Sequence, residues 1–232
     1  MDILKAAFLL VFCISIFSGC SNADKLTLNR PEEIIKKSEQ AEGHLVVVEN
    51  GECNMPIFVF EGAPLYTRKS ADELAEYIQK ITGVKPEVFE GEPEETPANA
   101  IWVGVQPKVK ELFPDIDLDF KYPEEIIVAV NDNHILLAGR DRWKEEGLVV
   151  EGKRGKKFEG IQLEYGTANA VYTFIQDFLD VRWLWPGDLG EDVVKKETLA
   201  FAPFEYRYHP QLRSRNGILH YSGIISYGHG RS

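Results

Sequence analysis

The stretch from Tyr165 to Glu191, "YGTANAVYTFIQDFLDVRWLWPGDLGE", constrains the fold of this chain more than any other. Ala168, Val171, Tyr172, Ile175, Phe178 and Leu179 recur at spacings of three and four, which lays one apolar stripe along a helix. Such a stripe needs a partner layer to bury it. Gly166 or Thr167 supplies the N-cap, and Val181, Trp183, Leu184 and Trp185 read as a short strand that stops at Pro186-Gly187.

A second helix is expected over Ser70–Ile81. Ser70 and Glu73 form a capping box, Ala71, Leu74, Ala75, Ile78 and Ile81 supply the buried stripe, and Gly83 stands where a left-handed C-cap belongs. Strands are expected at Leu45–Glu49, Ile57–Phe60, Pro86–Phe89 and Ala100–Val105, the last followed by a weak helical turn after Gln106-Pro107. Glu125–Val130 and His134–Ala138, joined by Asn131-Asp132-Asn133, read as a hairpin because Asn and Asp tolerate positive φ. Pro31–Gln40 is expected to form a short helix and the charged stretch from Arg140 to Glu164 a surface insertion, with a final extended run from Leu199 to Tyr208. The order of elements gives an α+β sandwich: a mixed sheet with two amphipathic helices packed on one face.

Three of these stretches carry a resemblance. "ADELAEYIQKITGVKPEV", "HILLAGRD" and the Gly-Thr helix leading into "VRWLWPGDLGE" are similar, in that order, to the N-terminal domain that precedes the catalytic barrel of family 67 alpha-glucuronidases. They are closer still to the bacterial proteins grouped as domain of unknown function 4838, and a similar domain precedes the barrel of family 20 beta-hexosaminidases. The resemblance implies a hexosaminidase N-terminal-like domain over residues 45–203, with 204–232 a linker and the start of a (β/α)8 barrel. A whole barrel needs on the order of 200 to 250 residues more. It therefore implies a non-catalytic domain of a carbohydrate-active glycoside hydrolase, with a polysaccharide or oligosaccharide and the barrel itself as partners.

The N-terminus suggests an exported address. Lys5 precedes the apolar run Ala6–Phe17, too short for a permanent membrane span but suited to a secretory signal, and Phe17-Ser18-Gly19-Cys20 resembles a bacterial lipobox. Residues 1–20 are then a lipoprotein signal peptide with Cys20 as the acylated first residue, and 21–44 a tether with the short helix; a plain signal peptide is the alternative. Acyl chains, at roughly 0.8 kcal/mol per buried methylene, would hold the protein to the cell envelope. Expected outcome: the exported protein incorporates labelled fatty acid and the Cys20→Ala variant does not, as read by gel autoradiography. Of the three cysteines, Cys53 alone then remains, so no internal disulfide and no thiolate zinc site can form.

The net charge of −11 on 232 residues argues against a nucleic-acid partner, whose phosphates need clustered Lys and Arg. Glycoside hydrolysis needs two opposed carboxylates, and in the resembling families they lie on the barrel, so no catalytic residue is assigned. Asp188 and Glu191 read as solvated turn residues. Trp183 and Trp185 alternate along a strand, so one can present its ring to a pyranose while the other fills the core; packing of both at a domain edge is the alternative. Arg213, Arg215, His220 and His229 fall where the resemblance puts the first barrel strand and loop, with Arg213 and His229 as further candidate carbohydrate contacts. His209, His220 and His229 lack metal-site spacing, and no cofactor motif is present. A surface lipoprotein that binds polysaccharide without hydrolysis, and a purely structural envelope protein, are the other readings.

Overall fold

The computed structural model describes residues 34–37, 44–144 and 161–211. In chain order the elements are β1 (Ile34–Lys37), β2 (Leu45–Glu49), β3 (Glu52–Cys53), β4 (Ile57–Val59), α1 (Leu65–Thr82), β5 (Val88–Glu90), β6 (Ala100–Val103) and α2 (Pro107–Leu112). There follow β7 (Ile126–Val130), β8 (His134–Gly139), β9 (Asp141–Lys144), β10 (Ile161–Tyr165), α3 (Gly166–Thr173), β11 (Arg182–Trp183), β12 (Glu191–Asp192), β13 (Leu199–Phe201) and β14 (Phe204–Tyr208).

Seven strands form one mixed sheet in the order β1-β14-β7-β8-β6-β4-β5. The half from β1 to β8 is antiparallel and the half from β8 to β5 is parallel. Its middle strands read "AIWV", "IIVAV" and "HILLAG" without polar alternation, and every residue in them is buried. Apolar residues on both sides of a strand mean that both faces are covered. Helices α1 and α3 cover one face, where Leu74, Ile78, Ile81, Val171, Phe174 and Ile175 meet Ile57, Ile101, Val128 and Leu137. On the other face Phe58, Trp102, Ile127 and Leu136 pack under Val109 of α2 and Phe113 just after it, so the weak turn expected there is the lid of a second, smaller core. The α+β sandwich with two helices on one face is observed as expected.

Helix α1 starts earlier than its capping box suggests. It begins at Leu65 behind Pro64, whose fixed φ of −62° suits a helix entry, and Ser70 is buried inside it with Oγ donating to Thr67 O at 2.8 Å. The first turn lacks an apolar stripe because Leu65 and Tyr66 are about half exposed, which hides it from periodicity. At the other end Gly83 takes φ +88° and its N–H caps Gln79 O at 2.8 Å. That stop is read correctly from Gly83.

Two more expectations are corrected. Within the segment read as a short helix over 31–40, Ile34–Lys37 is an edge strand paired with β14; the narrow apolar face of that helix offers less than backbone pairing does. The run ending at Tyr208 is not a linker: Phe204–Tyr208 lies between β1 and β7, so the sheet extends past residue 203. The expected surface insertion begins and ends as a hairpin, β9 with β10.

Helix α3 also departs from a plain α-helix. Phe174–Phe178 forms a π-helical turn, with Leu179 N bonded to Phe174 O at 3.0 Å. The wider turn brings Phe174 into the core beside Ile175 and leaves Tyr172 and Phe178 half-buried.

Candidate functional site

Two arrangements stand out, at opposite ends of the helical layer. The first is built where the chain leaves α3. Strand β11 pairs with β12, which places Trp183 opposite Glu191. The Trp183 indole N–H donates to Tyr77 Oη at 2.6 Å, Tyr77 Oη donates to Glu191 Oε1 at 3.0 Å, and Lys80 Nζ donates to Glu191 Oε2 at 2.5 Å. Tyr77 and Tyr172 meet the Trp183 ring edge-on, at 5.5 and 6.3 Å between centroids. Burial, with Glu73 adding to it, pushes the Tyr172 hydroxyl up, which keeps it neutral. Glu191, read from sequence as a solvated turn residue, is a nearly buried ion-pair partner whose side chain is 7% exposed. Trp183 is thus a brace between α1 and the strand after α3.

Beyond the brace the chain turns outward. Leu184, Trp185 and Leu189 are 72%, 68% and 99% exposed. They sit on a short, closed loop: Leu184 N bonds Gly190 O at 2.7 Å and Gly190 N bonds Gly187 O at 2.9 Å. A Cβ on Gly190 would come within 1.9 Å of Trp185 O, so only glycine closes it. The result is an apolar projection on a braced stem. Of the two candidate tryptophans, the structure packs Trp183 half-buried and turns Trp185 to solvent.

The second arrangement lies at the carboxyl ends of the parallel strands, where β8 meets the start of α3. Gly139 and Gly166 face each other so closely that a Cβ on Gly139 would be 2.3 Å from Gly166 C, and one on Gly166 2.3 Å from Arg140 N. Around this crossing stand four carboxylates. Glu125, 4% exposed, accepts from the Lys121 and Tyr122 amides at 2.7 and 2.9 Å and from Arg207 at 2.7 Å. Burial acts to raise its pKa, but these donors outweigh it and the carboxyl sits below its ordinary value. Glu164, 1% exposed, pairs with Arg140 Nε at 3.0 Å and Arg142 at 3.3 Å. Glu124, at φ +58°, accepts from the Tyr165 amide at 3.1 Å and Asn169 Nδ2 at 2.8 Å. Asp141 accepts from the Thr167 amide at 3.0 Å. Burial lifts the Asp141 carboxyl to about 6, the Thr167 hydrogen bonds only partly offsetting this and Glu124 and Glu164 adding to it. Sequence reading missed this node, because its four carboxylates come from three separate segments.

Elsewhere a shallow hollow of about 260 Å³ opens on the β2–β3 hairpin between Glu49, Asn50, Glu52 and Asn99. Cys53 is half-buried, and burial raises its thiol pKa. His209 stacks on Tyr122 at 4.0 Å between ring centroids. Among the described residues no group of three His, Cys, Asp or Glu is disposed to hold a metal, and no helix is long and apolar enough to cross a membrane. Cys20, Arg213, Arg215, His220 and His229 lie outside the described residues.

No protein-family model matches the chain, and no curated protein matches it. Among solved structures it is similar to the family GH115 4-O-methyl-alpha-glucuronidase BtGH115A, which has specificity for decorated arabinogalactans: 21% identity, TM-score 0.47, covering 72% of this chain and 18% of that one. It is also similar to CpGH84D, at 13% identity and TM-score 0.39 over 77% of this chain and 23% of that one. The chain therefore spans less than a quarter of the length of either structure, and both of these neighbours are glycoside hydrolases.

Proposed function

We propose that this domain is the non-catalytic N-terminal part of an exported, lipid-anchored, carbohydrate-active glycoside hydrolase of the alpha-glucuronidase-like kind, and that it buttresses a catalytic barrel. The ordered resemblance of the three sequence stretches supports the family, and the single structural observation that carries the supporting role is the exposed loop Leu184–Leu189. Large apolar side chains on an exposed loop lose free energy in water that burial against a partner returns, at about 25 cal/mol per Å². The occupant in this reading is the barrel that follows in the same polypeptide.

The test uses the full product of the uninterrupted reading frame with a photo-crosslinking residue at position 185 or 189. The expected result is a crosslink to a peptide beyond Ser232, located by mass spectrometry. Crosslinks confined to residues 34–211, or none, would overturn the docking role.

A second reading is favoured by one observation, the outward turn of the Trp185 ring. An exposed indole can stack on the apolar face of a pyranose, which would make the loop a polysaccharide contact. Retardation in affinity gels containing plant or algal polysaccharides, abolished by Trp185→Ala, distinguishes it from docking.

A further inference from the structure

The acidic node at the start of α3 has an asymmetry of charge. Glu124 and Glu164 both stand close enough to act on Asp141, and the charge of Glu164 is met by two cations. Glu164 has the guanidinium groups of Arg140 and Arg142. Glu124 has the Tyr165 amide and the Asn169 side chain, both donors at the start of α3. Asp141 accepts from the Thr167 amide and is further favoured by the Thr167 side chain, but among the described residues it makes no ion pair. The positive end of α3 favours an anion there by only about 0.3–1 kcal/mol at an exposed site. Against it stand desolvation and two carboxylate neighbours.

Asp141 also anchors the hairpin. It opens β9 immediately after Arg140, faces Tyr165 across the hairpin, and its carboxyl ties β9 to the first turn of α3. The groups facing it are Glu124 from the turn before β7, Arg140 and Arg142 from its own segment, Glu164 and Tyr165 from β10, and Thr167 and Asn169 from α3. From α1, Tyr66 packs edge-on against Tyr165 at 5.5 Å. Glu125 is turned to Arg207 on β14.

We propose that Asp141 is a proton-operated latch: one proton on its carboxyl removes the repulsion from Glu124 and Glu164 and seats the β9–β10 hairpin on the start of α3, and loss of that proton loosens the hairpin. The direction follows from linkage. The folded carboxyl titrates at about 6, above the ordinary value of 3.8 that applies once the hairpin opens. The seating is then tightest below the ordinary value and is lost as pH rises through the folded one. Between pH 5 and pH 7 the opening constant should rise about tenfold. An exported protein whose surroundings acidify would hold this hairpin more firmly.

The experiment is amide hydrogen exchange on the whole chain at pH 5 and pH 7, corrected for the intrinsic pH dependence of exchange, with the β11–β12 amides as an internal reference. In the wild type, opening of Asp141–Lys144 and Ile161–Tyr165 should rise about tenfold relative to that reference. In Asp141→Asn, whose amide oxygen still accepts from Thr167, it should stay constant. Equal pH dependence in both proteins, or none in the wild type, overturns the latch. Should Asp141→Asn not fold, the carboxyl ¹³C titration of wild-type Asp141 decides: a midpoint near 6 supports it, and one near 4 ends it.

Discussion

Gly166→Ala is expected to destabilise the domain by about 4 kcal/mol, at the upper end of what single substitutions do. An alanine methyl at this position would stand 2.3 Å from Arg140 N and 2.5 Å from Arg140 O. Those atoms are backbone, and they are committed: Arg140 N bonds Glu125 O at 2.8 Å and Gly166 N bonds Arg140 O at 3.0 Å. Nothing can swing aside, so relief requires β8 and α3 to separate, which opens the node of buried carboxylates as well. Gly139→Ala meets the same obstacle from the other side. Gly62→Ala is the control: it has φ +72° and nothing within 4 Å of its added carbon, so its cost is the left-handed conformation alone, about 1–2 kcal/mol. Urea unfolding of the three variants measures the contrast. Similar midpoints for Gly166→Ala and Gly62→Ala would show that the close approach is not what the fold requires.

The second large effect separates two residues that look equivalent in sequence. Trp183→Ala should cost about 3 kcal/mol, because it removes a half-buried ring and leaves the Tyr77 hydroxyl without the donor it accepts from. Trp183→Phe should cost about 1 kcal/mol, the loss of the hydrogen bond with most of the packing kept. Trp185→Ala should stay within about 0.5 kcal/mol of wild type, since its ring faces water. Thermal and urea unfolding of the isolated domain read all three. Equal destabilisation by Trp183→Ala and Trp185→Ala would contradict the brace-and-projection arrangement, and with it the loop's role in docking.

Much of the frame was legible in local pattern. The stripe from Ala168 to Leu179, the stop at Gly83 and the Asn131-Asp132-Asn133 hairpin each rest on residues a few positions apart, and each is where it was expected. The turn is held differently from the positive φ expected of it: none of its three residues takes one, and Asn131 Oδ1 instead accepts from the amides of Asn133 and His134. What escaped depends on distant partners. Glu191 looks like any acidic turn residue until Lys80 and Tyr77 are brought to it by α1. Gly166 reads as a helix cap, yet its smallness serves a crossing with Gly139 that only the folded sheet creates. Ser70 and Glu73 spell a capping box that Pro64 and Leu65 preempt by starting the helix a turn earlier. The candidate site followed the same rule: Trp183 and Trp185 were named from their alternation, whereas Asp141, Glu124 and Glu164 converge from segments with no shared motif.

The position of β14 bears on how the domain is made. Its strand is synthesised near the end of the described chain, yet it lies between the first strand and β7, with Tyr206 facing both Ile35 and Val128. While the ribosome is still producing residues before Phe204, β7 therefore presents an unsatisfied edge and β1 has nothing to join. Closure waits for a contact between the two ends of the domain, the kind of long-range pairing that slows folding. Any chaperone that handles the nascent chain meets an open sheet that closes only when Phe204–Tyr208 arrives.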